Sequence, residues 1–184
     1  MSLVKSKNIE LGKKAPEFGL LDVVNNQNKE LTNLKGEVGT LIMFICNHCP
    51  FVIHVNNELV KMGNDYISKG INFVAISSND IAYYPQDGPS YMKQIATKLN
   101  YPFPYLYDDS QKVAKLYDAV CTPDFYLFDD DLKLVYHGQL DKSRPGNGIP
   151  VTGFEMRNAM DLLLKKELNT NLQQPSIGCS IKWK

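Results

Sequence analysis

The sequence has no excess of charge in either direction: twenty Lys and Arg balance twenty Asp and Glu over 184 residues. No Lys/Arg-rich block interrupts that balance, so there is no electrostatic footprint for a phosphate backbone or an anionic bilayer. Neither nucleic acid nor a membrane is an expected partner. The apolar run "GTLIMFIC" is far too short to span a bilayer. The opening "MSLVKSKNIELGKKAPEF" lacks the apolar segment that a secretory signal needs, which gives a cytoplasmic expectation. Histidine is scarce at three residues, and the four cysteines include a single Cys-x-x-Cys, so a four-ligand zinc site has little to draw on. No metal is expected. Covalent haem attachment is excluded because Pro50, not histidine, follows Cys49. In a reducing compartment the cysteines read as thiols with chemistry or core duty, not as a disulfide framework.

What the chain does have is 43% apolar content and no internal repeat. That suits one domain over residues 1–184 with a sizeable core, residues 169–184 forming an unpatterned C-terminal tail. "GTLIMFIC" reads as a strand buried on both faces. The stretch after it repeats apolar residues at helical spacing (Val52, Val55, Leu59, Met62, Tyr66) and stops at Gly70. "INFVAISSN" is a second buried strand, completing a parallel crossover unit. "PSYMKQIATKLN" predicts a helix with proline in its first turn. "YPFPYLYDD" suits an edge segment, and "SQKVAKLYDAV" a short helix capped by Ser110. Residues 125–128 and 133–139 predict a hairpin around Asp129-Asp130-Asp131. "FEMRNAMDLLLKKEL" predicts the last helix.

A βαβ unit followed by a ββα unit is the order of the thioredoxin fold: α/β, with a central mixed sheet flanked by helices. The stretch "ICNHCPF" puts Cys46 and Cys49 where the first strand gives way to its helix, and Thr122-Pro123 stands just before the hairpin. With these residues the chain resembles the thioredoxin-like superfamily, specifically its redoxin branch of AhpC/TSA type, with that branch's N-terminal β extension in "GKKAPEFGLLDVVNNQNKELTNLKG". "CNHCPFV", "CTPDFYLFD", "YHGQLDKSRP" and "GCSIKW" are similar to a peroxiredoxin-like thioredoxin-family subgroup.

The resemblance implies a thiol-disulfide oxidoreductase that needs no cofactor, because electrons move through the cysteines themselves. A thiolate is the attacking species, and a helix N-terminus stabilises it. On that basis Cys46, at the helix end, is the expected nucleophile and Cys49 the resolving thiol. His48 is expected to tune the Cys46 thiolate and make the couple more oxidising than thioredoxin. Asn47, Thr122 and Pro123 are expected on the substrate side, a cis peptide at Pro123 holding the Thr122 backbone ready for an extended substrate strand. Cys121 and Cys179 are possible additional thiols. Expected partners are protein or small-molecule thiols and disulfides with an unidentified reductant. Two alternatives stay open: a thiol peroxidase using Cys49, and a redox-sensing or binding module without turnover. Ile45 stands where thioredoxins have tryptophan. Cys46 takes the position where the peroxidase branch normally has threonine, and Arg144 and Arg157 lie outside the segment where its arginine is expected.

Overall fold

A computed structural model describes residues 3–184. Its strands are β1 (Leu3–Lys5), β2 (Gly19–Asp22), β3 (Gln27–Glu30), β4 (Gly39–Phe44), β5 (Ile71–Ser77), β6 (Tyr105–Tyr107), β7 (Cys121–Thr122), β8 (Asp124–Asp129), β9 (Leu134–Gly138) and β10 (Ile177–Ser180). The helices are α1 (Leu31–Leu34), α2 (Pro50–Tyr66), α3 (Pro89–Lys98), α4 (Lys112–Leu116) and α5 (Phe154–Leu164). Seven strands form a mixed sheet in the order β3-β2-β6-β5-β4-β8-β9, and β1-β10-β7 form a smaller one.

Every residue of β4 is buried. Side chains alternate across a strand, so Leu41 and Met43 enter the cluster built with α2 and α5, while Ile42 and Phe44 enter a second cluster on the other face. β8 divides likewise, with Phe125 and Leu127 on one side and Tyr126 and Phe128 on the other. Two packed faces explain why these strands read as unbroken apolar runs. β4 pairs in parallel with β5 and antiparallel with β8. The βαβ and ββ units expected from the sequence therefore share one sheet. Parallel neighbours also send the loops after them to the same edge, so the segments following β4 and β5 meet.

Three expectations need correction. The "YPFPYLYDD" stretch is no edge: β6 sits between β5 and β2, because the β2–β3 hairpin covers it. Ser110 is not the N-cap of α4. That position belongs to Gln111, whose left-handed φ of 60° turns the chain. Its side-chain amide donates to the carbonyls of Ser78 and Lys182 and accepts from the Lys184 N–H, which repays the strained backbone. The unpatterned tail also contains a strand, β10, too short for periodicity to reveal. It pairs with both β1 and β7.

β10 lies so close to β7 that a Cβ on Gly178 would stand 2.0 Å from the Thr122 carbonyl oxygen. The obstacle is backbone and cannot swing aside. Gly178→Ala is expected to lower stability by about 1–3 kcal/mol, measured by denaturant unfolding, with β10 lifting from β7.

Candidate active site

The site begins where β4 ends. Ile45 extends the strand by one further bond, its N–H donating to the Ile76 carbonyl at 2.9 Å. The chain then turns through Cys46, Asn47 and His48 before α2 opens with Cys49 as N-cap and Pro50 in the first turn. Proline is favoured there because its missing N–H is one the helix leaves unpaired anyway. The helix end thus falls at Cys49, three residues beyond the expected position of Cys46. Ile45, at 1% exposure, belongs to the core and gives the site no platform. The ring beside the site is Tyr84, stacked on His48 at 5.0 Å between centroids and 15° between planes.

Both sulfurs are buried, and Thr122 joins them. Its hydroxyl lies 3.4 Å from Cys46 Sγ, and its carbonyl accepts from the Cys49 thiol at 3.2 Å. The Thr122-Pro123 peptide is cis. The backbone edge expected to meet a substrate strand is paired with the chain's own β10, Cys179 standing opposite Thr122.

The charge of the pair settles on Cys49. Hydrogen bonding from Cys46 lowers the Cys49 pKa against the cost of burial, with help from Cys179, Thr122 and the Val52 N–H, and brings it to about 5. Cys46 is pushed well up, first because it gives its hydrogen bond to Cys49, then by burial and by the negative charge of Asp87. Hydrogen bonding between the two thiols thus favours the charge on Cys49 and the shared proton on Cys46. The Thr122 carbonyl is the contact that favours the thiol form of Cys49, and the donors around the sulfur outweigh it.

His48 serves a carboxylate before it serves a thiol. Its Nδ1 is 2.5 Å from Asp87 Oδ2 and 4.0 Å from Cys46 Sγ. A carboxylate is the stronger acceptor, so the expected direct tuning of Cys46 gives way to an imidazole held by Asp87 with Cys46 at its margin. Asp87 is fully buried and also accepts from the N–H groups of Asn47 and His48 and from the Asn79 amide. Burial opposes its ionisation, but hydrogen bonds from His48 and Asn79 prevail and hold it below the usual carboxylate range. Asn47 is bound within the site: its amide donates to the Gln86 carbonyl at 2.8 Å and accepts from the Tyr105 hydroxyl at 3.1 Å.

Sequence reasoning missed Asp87, Asn79 and Tyr84. A signal was present in the topology, since "SSNDIAYYPQDGP" follows the parallel neighbour of β4 and must open on the same edge. Ligand atoms of Cys46, His48 and Asp87 lie within 4.8 Å of one another, so these three side chains could hold a cation. Asp124 is also buried, but His137 Nε2 at 3.1 Å and the Tyr126 hydroxyl at 2.9 Å occupy it. His54 pairs with the Ser143 hydroxyl at 2.7 Å. Neither arginine is bonded to the thiols: Arg157 serves Glu58 and Asp65, and Arg144 serves the Asp141 and Ser143 carbonyls and Gln139. Cys121 is buried in β7 and pairs with Ser180, and burial pushes its thiol up.

The mixed sheet, the Cys-x-x-Cys at the start of α2 and the cis-proline facing it define a protein of thioredoxin-like fold. The chain matches the AhpC/TSA family over residues 11–137 and belongs to it. It is 59% identical to a conserved protein of Geobacillus kaustophilus described as uncharacterized, with 100% of this chain and 97% of that one covered and a TM-score of 0.98. A hypothetical protein from Sinorhizobium meliloti 1021 is 44% identical, with 98% of each chain covered and a TM-score of 0.95. The thioredoxin domain of a thiol-disulfide oxidoreductase from Bacteroides vulgatus shares the fold at 20% identity, with 72% of this chain and 90% of that one covered and a TM-score of 0.61. A search of curated proteins gave no significant match.

Two outcomes test the charge distribution. Thiolate ultraviolet absorbance of the reduced protein is expected to rise by one anion as pH increases through about 5 and to vanish below it. Cys49→Ser removes that step. Asp87→Asn replaces the anionic acceptor of several buried donors, and is expected to cost about 1–3 kcal/mol in denaturant unfolding. It also lowers the pKa of Cys46 by removing a neighbouring negative charge.

Proposed function

We propose that this protein is a thiol-disulfide oxidoreductase that works through a Cys46–Cys49 dithiol. The observation that carries the reading is geometric: both thiols of the Cys-x-x-Cys are buried and meet Thr122, Cys46 Sγ 3.4 Å from its hydroxyl and Cys49 Sγ 3.2 Å from its carbonyl oxygen. Thiol-disulfide exchange needs an attacking thiolate and a second thiol that can become one. Moving the shared proton from Cys46 to Cys49 presents the charge on Cys46, which precedes the helix beside half-buried Asn47 and His48. Cys46 then bonds to one sulfur of a substrate disulfide, and the other leaves as a thiolate that takes up a proton. Cys49 gives up its proton, attacks Cys46 Sγ and releases the second substrate thiol. The substrate gains two electrons, and the pair is left as a disulfide.

A stabilised thiolate makes the reduced form the favoured one, so the couple should be more oxidising than thioredoxin at roughly −270 mV. Thr122-Pro123 forms the wall across from the pair, and His48 with Asp87 sets the charge beside Cys46. One observation favours a second reading, peroxide reduction at Cys49: it stands at the N-cap of α2, and its pKa is lowered to about 5, first by the hydrogen bond from Cys46. Against it, the guanidinium groups of Arg144 and Arg157 are engaged elsewhere.

The test is a glutathione redox titration in which the Cys46–Cys49 linkage is followed by peptide mapping. A two-electron transition above roughly −270 mV, with that linkage lost in Cys46→Ser and in Cys49→Ser, supports the exchange reading. Its absence at every poise sinks it. Rapid peroxide-driven sulfenic acid at Cys49 in that case favours the second reading.

A further inference from the structure

Three of the four thiols converge on Thr122. Cys49 Sγ lies 3.2 Å from its carbonyl oxygen, Cys46 Sγ lies 3.4 Å from its hydroxyl, and Cys179 is its partner in the antiparallel β7–β10 register. Directly opposed residues of an antiparallel pair send their side chains to the same face, with Cβ atoms about 4.5–5.5 Å apart. Since the Thr122 hydroxyl faces Cys46, Cys179 projects toward the dithiol, and its thiol is hydrogen-bonded with Cys49. Cys46, Cys49 and Cys179 share one apolar cluster that does not include Cys121. Strand alternation accounts for the difference, because Cys121 is one position out of phase with Thr122.

The strand that carries Cys179 is anchored on both sides of it. The Ile181 N–H donates to the Val120 carbonyl at 2.9 Å, and the Lys182 N–H donates to Asn79 Oδ1 at 2.8 Å. Asn79 in turn donates to Asp87. On the other side, the Ser176 hydroxyl donates to the Gly138 carbonyl at 2.7 Å. Cys49 is thus held between two candidate sulfur partners, one before its helix and one on the tail.

We propose that Cys179 is a third redox thiol, which converts the Cys46–Cys49 disulfide into a Cys49–Cys179 disulfide. This rests on the exchange reading above. In the step, Cys179 Sγ bonds to Cys49 Sγ and the Cys46–Cys49 bond breaks. The electron pair leaves on Cys46, which takes up the proton that Cys179 gives up. Cys179 is oxidised and Cys46 reduced, and no outside oxidant or reductant is consumed. Burial pushes the Cys179 thiol up, and its hydrogen bond to Cys49 and the Cys49 charge push it further; the Cys49 charge is absent once Cys49 is in a disulfide. The product is a second oxidised form, with β10 fastened to the N-cap of α2 and Cys46 returned as a thiol.

The experiment equilibrates the full-length wild-type protein across a glutathione series, quenches with acid, alkylates the remaining thiols and maps disulfides in a non-reducing digest. The expected result is two linked peptide pairs, Cys46–Cys49 and Cys49–Cys179, in a ratio that does not change with poise, because the two forms are isomers. Cys179→Ser removes the second pair and fixes its identity, and Cys46→Ser leaves it as the sole internal disulfide. If wild-type protein yields Cys46–Cys49 and no Cys49–Cys179 at any poise, this inference is overturned and the exchange reading stands. If it yields no internal disulfide at all, the exchange reading fails and takes the inference with it.

Discussion

Placing sulfur, imidazole and carboxylate inside an apolar cluster costs free energy unless each polar atom finds a partner there. The site meets that constraint at its carboxylate and its sulfurs, while His48 Nε2 is buried without a hydrogen-bond partner among the described residues. Asp87 is the clearest case: a fully buried carboxylate, compensated by two backbone N–H groups, an imidazole and an amide. Those four donors come from the loops after β4 and β5. The carboxylate therefore ties the two loops together as well as being satisfied by them. Thr122 does the corresponding work from the other side, using its hydroxyl and carbonyl on the two cysteines while its strand holds the tail.

The second consequence concerns where charge can reside. Asp87 is already ionised beside Cys46, and two adjacent negative charges in a low dielectric repel strongly. That repulsion adds to the two larger causes, the hydrogen bond Cys46 gives to Cys49 and its burial, and the thiolate is favoured on Cys49, where an N-terminal N–H of α2 and two thiols receive it. The helix start reinforces this, since the favourable end of the dipole lies at Cys49. A histidine between two cysteines suggests direct stabilisation of the first. With Asp87 as its nearer partner, His48 contributes instead by holding that carboxylate in place beside Cys46.

The fold was legible in the sequence wherever burial leaves a periodic trace. β4, β5, α2, α3 and the β8–β9 hairpin bury long apolar faces, and their spacing shows it. β6 was misplaced because its neighbour β2 belongs to a hairpin of mixed composition whose pairing is non-local. β10 was invisible because four residues cannot establish a period. Of the site, Cys46, Cys49 and Thr122-Pro123 could be found from the motif and from family resemblance. Asp87 could not, because an aspartate in a Pro/Gly-rich loop is ordinary turn chemistry. Only the parallel pairing of β4 with β5 turns that loop toward the thiols.

The same short strand alters what the site presents to its surroundings. An unpaired edge beside a dithiol is a template for an incoming chain. Here β10 already pairs with β7 at Thr122, flanked on its other edge by β1. A segment adding at that edge would first have to displace a strand pinned through Ile181, Lys182 and Ser176. The contact with Thr122 that an open site leaves for a partner is made here within the chain. Because the occupying residue is a cysteine in hydrogen-bond contact with Cys49, closing the edge also sets the number of sulfurs at the site to three.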